Sequence, residues 1–329
     1  MTTAADDTEK QNATADAPDT ENGALLRLTT FNAKRGFWDD DTGAPDLDSV
    51  MAHLDQAPLP DVLGFSEATN FHRDGKRHLY RLAAMLTEAN YGDRVEPFLA
   101  EFDGHANHPA LFVNSRVVEV KQWWEPHRPH TRRVKWGWVL ANVWGVDTWI
   151  SCQHWQGGLG RHKLDEHAAI LAEMGRRPAI ALGDFNATSS WDGEVELDWH
   201  DATAAAGQTH KRLQTGHQVD GRWQLDTRQL DFLRTECGWR DLGEQAKDGT
   251  PTTDEYGAGL RVDRIMVSAS FPGELIPGTY AVHGQPEAGG MFAGASGAIW
   301  CAGPRQSDHK MVTAVVQMSE PSRRSSDPM

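Results

Sequence analysis

Cysteine is nearly missing from this 329-residue chain. Its three thiols, Cys152, Cys237 and Cys301, are too few and too scattered for a disulfide framework or a thiolate zinc site, so they read as buried free thiols. Long apolar runs are missing too, and no stretch approaches the roughly 20 apolar residues of a membrane span. The first segment, MTTAADDTEKQNATADAPDTENG, is acidic and lacks the apolar centre of a signal peptide. These absences lead to the expectation of a soluble, cytoplasmic protein of a reducing compartment, without membrane insertion. Positive charge is also short. Lys and Arg number 32 against 47 Asp and Glu, and the net charge of −15 opposes tight polyanion binding over the whole surface while leaving room for a local basic groove. No internal repeat is visible.

Apolar residues make up 39% of the chain, enough for a substantial core in one large domain or two small ones. Residues 1–23 and 319–329 have the composition of disordered tails, which leaves 24–318 as the folded body. Strand and helix signals alternate within it. LLRLTTFNA, DVLGFSEA, PAIALGDFNA, GLRVDRIMVS and HKMVTAVVQM read as strands. ALFVNSRVVEVKQWW and GWVLANVWGVDTWISCQHW are β-branched and aromatic, with GVDT as a hairpin turn. LDSVMAHLDQ, KRHLYRLAAMLTEAN, LDEHAAILAEMG and LDTRQLDFLRTECG read as helices. Many strands follow one another with no helix between them. That argues against a doubly wound parallel sheet and for an α+β sandwich: two packed, mostly antiparallel sheets with helices on the outer faces, in four layers.

Six short motifs close six of the apolar runs: TFNA (Asn32), DVLGFSEA (Glu67), ISCQHW (His154), LGDFNA (Asp184, Asn186), VDRIMVS (Asp263) and SDHKMV (Asp308, His309). Each has a plain reading by itself. GDFNA can be a turn, Glu67 an ion-paired carboxylate, SDH a cap, His154 a core histidine, Asn32 a strand-end amide and VDRI a surface ion pair. Together they set carboxylates, imidazoles and amides at strand ends, where distant parts of a chain meet on one rim. Phosphoryl transfer needs such a rim: carboxylates for a cation, a base for water and donors for the developing charge.

The set resembles the endonuclease/exonuclease/phosphatase superfamily, in motif order, over about 25–318. The resemblance implies a metal-dependent phosphoesterase. In it Glu67 is the principal metal carboxylate, with Asp308 and Asn32 at or beside the ion. Mg²⁺ suits these oxygen donors, with Mn²⁺ as its substitute. Asp184 corresponds to the group that orients or deprotonates the attacking water, and Asn186 to a phosphate donor. His309 corresponds to the imidazole facing the scissile phosphate, held by Asp263, and His154 to the second imidazole. Related deoxyribonucleases place an acidic partner for one imidazole at the start of the strand that here reads HPALFVNS. This chain has Asn107 and His108 there. His108 either lines the substrate groove or is an exposed strand-end histidine.

One segment is locally basic. From Arg116 to Lys135 six Lys or Arg stand against two Glu, interleaved with Trp123 and Trp124 and followed by Trp136 and Trp138. Charge for phosphates and rings for bases would suit a nucleic-acid strand, and the alternative is a solvated hairpin with core tryptophans. Arg133 or Lys135 stands near the place of a phosphate-contacting arginine in the related deoxyribonucleases. Trp155 either stacks on substrate or walls the pocket. The acidic stretch WDGEVELDWHD reads as a solvated loop, with a second cation site as the alternative.

The leading expectation is thus a Mg²⁺-dependent nuclease, monomeric, with nucleic acid as substrate and no protein partner. The alternatives are a phosphatase or phosphodiesterase of a small or lipid phosphate, such as an inositol phosphate or sphingomyelin, and a non-catalytic binding protein with the same fold.

Overall fold

A computed structural model describes residues 24–90, 92–101, 107–124, 137–155, 162–192, 198–205, 209, 212, 216–253, 259–285 and 307–319. Both expected tails lie outside these residues apart from Ser319, as do Cys301, Trp136, Arg133, Lys135 and most of the acidic stretch after Asp192.

The strands in chain order are β1 (Ala24–Asn32), β2 (Trp38–Asp39), β3 (Ala44–Pro45), β4 (Val62–Ser66), β5 (Val95–Leu99), β6 (Ala110–Asn114), β7 (Val118–Trp124), β8 (Trp138–Val143), β9 (Val146–His154), β10 (Ala179–Asp184), β11 (Gly216–Val219), β12 (Arg222–Leu225), β13 (Arg240–Asp241), β14 (Asp263–Val267), β15 (Gly273–Leu275), β16 (Ala281–His283) and β17 (Met311–Met318). The helices that matter for packing are α1 (Leu47–Leu54), α2 (Arg77–Ala89), α3 (His162–Met174) and the helix Arg228–Thr235. One sheet runs β15-β17-β1-β4-β6-β5, with β16 also on β17, and the other runs β13-β14-β10-β9-β8-β7. Within these two sheets β1–β4 and β9–β10 are parallel and the remaining pairs antiparallel. The expected sandwich of two mostly antiparallel sheets is the observed one.

Strand period explains the layers. Side chains alternate across a strand, so each buried strand feeds two cores. Leu26 and Leu28 of β1 face inward, where Val62 and Val113 meet Val139, Ile150, Ile180, Leu182 and Ile265 of the second sheet. Phe31, Leu63, Phe65 and Phe112 face outward onto Val50, Met51, Leu79 and Leu82 of α1 and α2. On the far side Trp138, Ala181 and Met266 pack on Leu164 and Leu171 of α3 and on Leu230 and Leu233. Phe112 is 1% exposed, and cutting such a ring back to Ala costs about 3–5 kcal/mol.

The hairpin expected at GVDT sits two residues earlier. Val143 pairs with Val146 around Trp144 and Gly145, whose φ values are 49° and 87°. Two residues at positive φ make the turn whose twist matches the flanking strands, and Gly145 accepts that conformation without strain. Val146–Thr148 continue into β9 instead.

The two sheets are bridged at the end where the motifs lie. Gly64 of β4 makes room for the facing sheet: a Cβ built on it would stand 2.8 Å from Leu182 Cγ of β10. Ser66 then spans the two sheets, donating from Oγ to Gln153 O (3.1 Å) and accepting from Asp184 N (3.3 Å).

Candidate active site

Register alone collects most of the site. Asn32 pairs with Ser66 across β1 and β4, which puts Glu67 one residue past the same edge. Asp184 pairs with His154 on one side and Asp263 on the other, so three motif residues stand level on three adjacent strands. Asn32 joins the sheets by donating from Nδ2 to Asp184 Oδ2 at 3.0 Å. The last motif enters before β17, where Ser307 Oγ donates to Asn32 O (2.7 Å) and accepts from His309 N (3.1 Å). Gln285 grips the same turn, accepting from Ser307 N (3.1 Å) and donating to His309 O (2.9 Å).

His309 Nδ1 donates to Asp263 Oδ2 at 2.7 Å, which turns Nε2 toward Asp184 Oδ2, 4.0 Å away. His154 Nε2 lies 3.9 Å from the same oxygen and 3.6 Å from Glu67 Oε1. These separations exceed a hydrogen bond, yet one water or phosphate oxygen can bridge such a gap. Asp184 Oδ1 accepts from the backbone N–H of Asn186 at 2.8 Å. Asn186 in turn donates from Nδ2 to Trp155 O at 2.8 Å. Glu67 and Asn186 have φ of 59° and 46°, a region non-glycine residues adopt at a cost, so both positions carry backbone strain.

Burial sets the proton affinities. Desolvation raises the Asp184 carboxyl well above the ordinary carboxylate value, against the pull of His309. Burial of the His309 ring works against its charge. Asp263, through its charge and its hydrogen bond, outweighs this with help from Asp184 and Asp308, and raises the imidazole to about 10.

Glu67 Oε2 accepts from Arg35 N (2.8 Å) and Asn107 Nδ2 (3.2 Å). Asp308 Oδ2 pairs with Lys34 Nζ at 2.9 Å. Glu67 and Asp308 side chains are each about one-fifth exposed, so these hard oxygen donors reach the rim. The ligand atoms of Asp184, Asp263 and His309 lie within 4.8 Å of one another, so this group too could hold a metal ion.

Two expected substrate contacts are corrected by the packing. The Trp155 ring is fully enclosed, stacks on His167 at 5.2 Å and donates to Gln153 Oε1 at 3.0 Å, so no base can lie on it in this conformation. His108 is 1% exposed and its Nε2 faces His72 Nδ1 at 3.0 Å, so it neither lines an open groove nor sits exposed. Of the tryptophans near the basic segment, Trp138 is core, Trp123 packs on Phe98 at 5.4 Å and Trp124 is exposed.

Other contacts were not foreseen. Ser66, Lys34, Ser307 and Gln285 have no signature of their own; adjacency to Glu67, Asn32 and Asp308 is the signal that would have picked the first three. Nor did VDRI announce a buried quartet. Arg261 and Arg264 are enclosed and pair with Asp192 and Asp241. Arg264 also donates to Arg261 O at 2.6 Å and to Ala187 O at 3.4 Å, tying the loop after Asn186 to the strand of Asp263.

No protein-family profile matches this sequence, and neither does any curated protein. Solved structures do match in fold. An endonuclease/exonuclease/phosphatase from Beutenbergia cavernae superposes with a TM-score of 0.55 at 18% identity, covering 90% of this chain and 72% of that one. One from Bacteroides vulgatus gives 0.56 at 14% identity, over 90% and 100%. The 3′ phosphatase NExo from Neisseria, solved with product DNA hairpin, gives 0.53 at 16% identity, over 89% and 99%. The chain has the endonuclease/exonuclease/phosphatase fold.

Proposed function

We propose that this protein is a Mg²⁺-dependent phosphodiesterase that hydrolyses nucleic-acid phosphodiester bonds. The observation carrying this reading is the level row His154, Asp184 and Asp263, with His309 locked onto Asp263 and turned toward Asp184. Two imidazoles and a carboxylate then surround one point, with an amide beside them.

Asp184 takes the proton of the attacking water on its carboxylate. Burial makes it a stronger base than a surface carboxylate, and Asn32 and Asn186 N–H fix its orientation. His309, protonated, faces the phosphate through Nε2 and offsets charge as the oxygens become more negative. His154 does the same from the other side, and Asn186 adds an amide donor to the phosphate. Glu67, Asp308 and Asn32 would hold the Mg²⁺, with Mn²⁺ as substitute. When bound, the ion supplies Lewis-acid charge to a phosphoryl oxygen. These oxygens suit a hard cation better than the Asp184–Asp263–His309 group, where the hydrogen bond and the retained proton both occupy ligand positions.

The Neisseria neighbour's DNA hairpin supports a nucleic-acid substrate. The net charge of −15 favours the second reading, a small phosphate ester. A turnover screen in Mg²⁺ separates them, using plasmid DNA, single strands, RNA, inositol phosphates and sphingomyelin. Turnover of DNA or RNA supports the nuclease. Turnover confined to the small or lipid esters selects the second reading, and none on any substrate contradicts both.

A further inference from the structure

One short turn touches all three residues assigned to the metal. Lys34 N donates to Asn32 Oδ1 at 3.1 Å, Arg35 N donates to Glu67 Oε2 at 2.8 Å, and Lys34 Nζ pairs with Asp308 Oδ2 at 2.9 Å. The backbone of this turn is strained. Lys34, Arg35 and Phe37 have φ of 33°, 58° and 51°, values that L residues avoid, with Gly36 at 62° between them. Gly36 fits closely there, since a Cβ would stand 3.1 Å from Glu67 O and 3.3 Å from Thr69 N. Phe37 anchors the turn in the core beside Phe31 (6.0 Å) and His53 (5.2 Å). The strain therefore fixes two backbone N–H groups on site side chains, while the Lys34 side chain, 58% exposed, remains at the rim.

We propose that Lys34 is an exchangeable cation of this site: its ammonium neutralises Asp308 before a divalent cation binds, and it is released to a substrate phosphate when one does. The proposal rests on the metal-dependent reading above. A divalent ion on Asp308 competes for the same oxygen and repels the ammonium. An exposed ion pair yields readily, because solvent replaces most of what it loses. The flexible stem then carries the charge toward the phosphate faced by His309, the residue next to Asp308. The Arg35 guanidinium pairs instead with Asp40, at 3.1 and 2.9 Å, and with none of the three residues assigned to the metal.

The test measures two affinities that should move in opposite directions. Mn²⁺ is titrated calorimetrically into the full chain, then inorganic phosphate is titrated at saturating Mn²⁺, for the parent, Lys34→Gln and Lys34→Arg. Lys34→Gln should bind Mn²⁺ about two- to five-fold more tightly and phosphate about five-fold more weakly. Lys34→Arg should follow the parent. Unchanged or weaker Mn²⁺ binding by Lys34→Gln overturns the proposal, and so does unchanged phosphate binding; a general structural loss would weaken both. If the parent itself binds no Mn²⁺, the metal-dependent reading fails and takes this inference with it.

Discussion

His309 Nδ1 stands 2.7 Å from Asp263 Oδ2, and this contact sets the charge on the ring that faces Asp184. With its proton affinity raised to about 10, the imidazole stays protonated through neutrality. The cation is therefore present at neutral pH, and activity that needs it declines as pH rises through the ring's own value. Asp263→Asn removes the charge that outweighs burial, so the alkaline limb of the pH–rate profile should move down by about one to two pH units. An unmoved limb would show that another group controls it.

Glu67 tests the metal assignment. Its carboxylate takes hydrogen bonds from Arg35 N and Asn107 while its other oxygen faces His154 at 3.6 Å. Glu67→Gln keeps the shape and removes the charge. Mn²⁺ affinity, read by calorimetry, and turnover should both fall, by about ten-fold or more. Full activity in excess chelator would remove the metal from the account altogether.

The buried quartet predicts a stability effect with a definite pH sign. Asp241 and Asp192 are both held below the usual carboxylate range; burial opposes this, and Arg261 and Arg264 outweigh it. A lowered carboxylate contributes stability above its unfolded value and loses that contribution as pH falls through its folded value. Asp192→Asn leaves two enclosed guanidinium groups short of a counter-charge and should cost about 3–5 kcal/mol in denaturant unfolding at pH 7. The deficit relative to the parent should shrink toward acid, once the parent's own carboxylates protonate. A loss under about 1 kcal/mol would mean that water reaches the network.

How much of this was readable follows from how each feature is encoded. β4, β10 and β14 are short, apolar and bounded, and a side-chain period of two fixes which residues reach the common edge. The level placement of His154, Asp184 and Asp263 is a consequence of that register. The face Leu79, Leu82, Ala83 and Leu86 on α2 was likewise legible as a helical stripe. Long-range pairing was not. Arg261 and Arg264 look like surface charges because nothing local says that Asp192 and Asp241 come to meet them. Trp155 looked available to substrate because adjacency to His154 does not reveal that its side chain points the other way, onto His167 and Phe185. The strained turn at Lys34–Phe37 was hidden too, since three of its four residues have no preference for positive φ. The β11–β12 hairpin, with its Asp220–Gly221 turn at φ of 49° and 81°, carried a signal that was there to be read.

We propose that Asp184 is the base, placed by Asn32 and Asn186 N–H and strengthened by burial. The direct measurement is the turnover of bis(4-nitrophenyl) phosphate in saturating Mg²⁺ by the parent and by Asp184→Asn, with Mn²⁺ affinity and melting temperature followed alongside. Asparagine preserves the shape and cannot take a proton from water. A loss of about 10²–10⁴-fold in kcat is expected, with the fold intact and Mn²⁺ still bound. Turnover within about tenfold of the parent would contradict it, because general-base catalysis lost at this position should cost more than that.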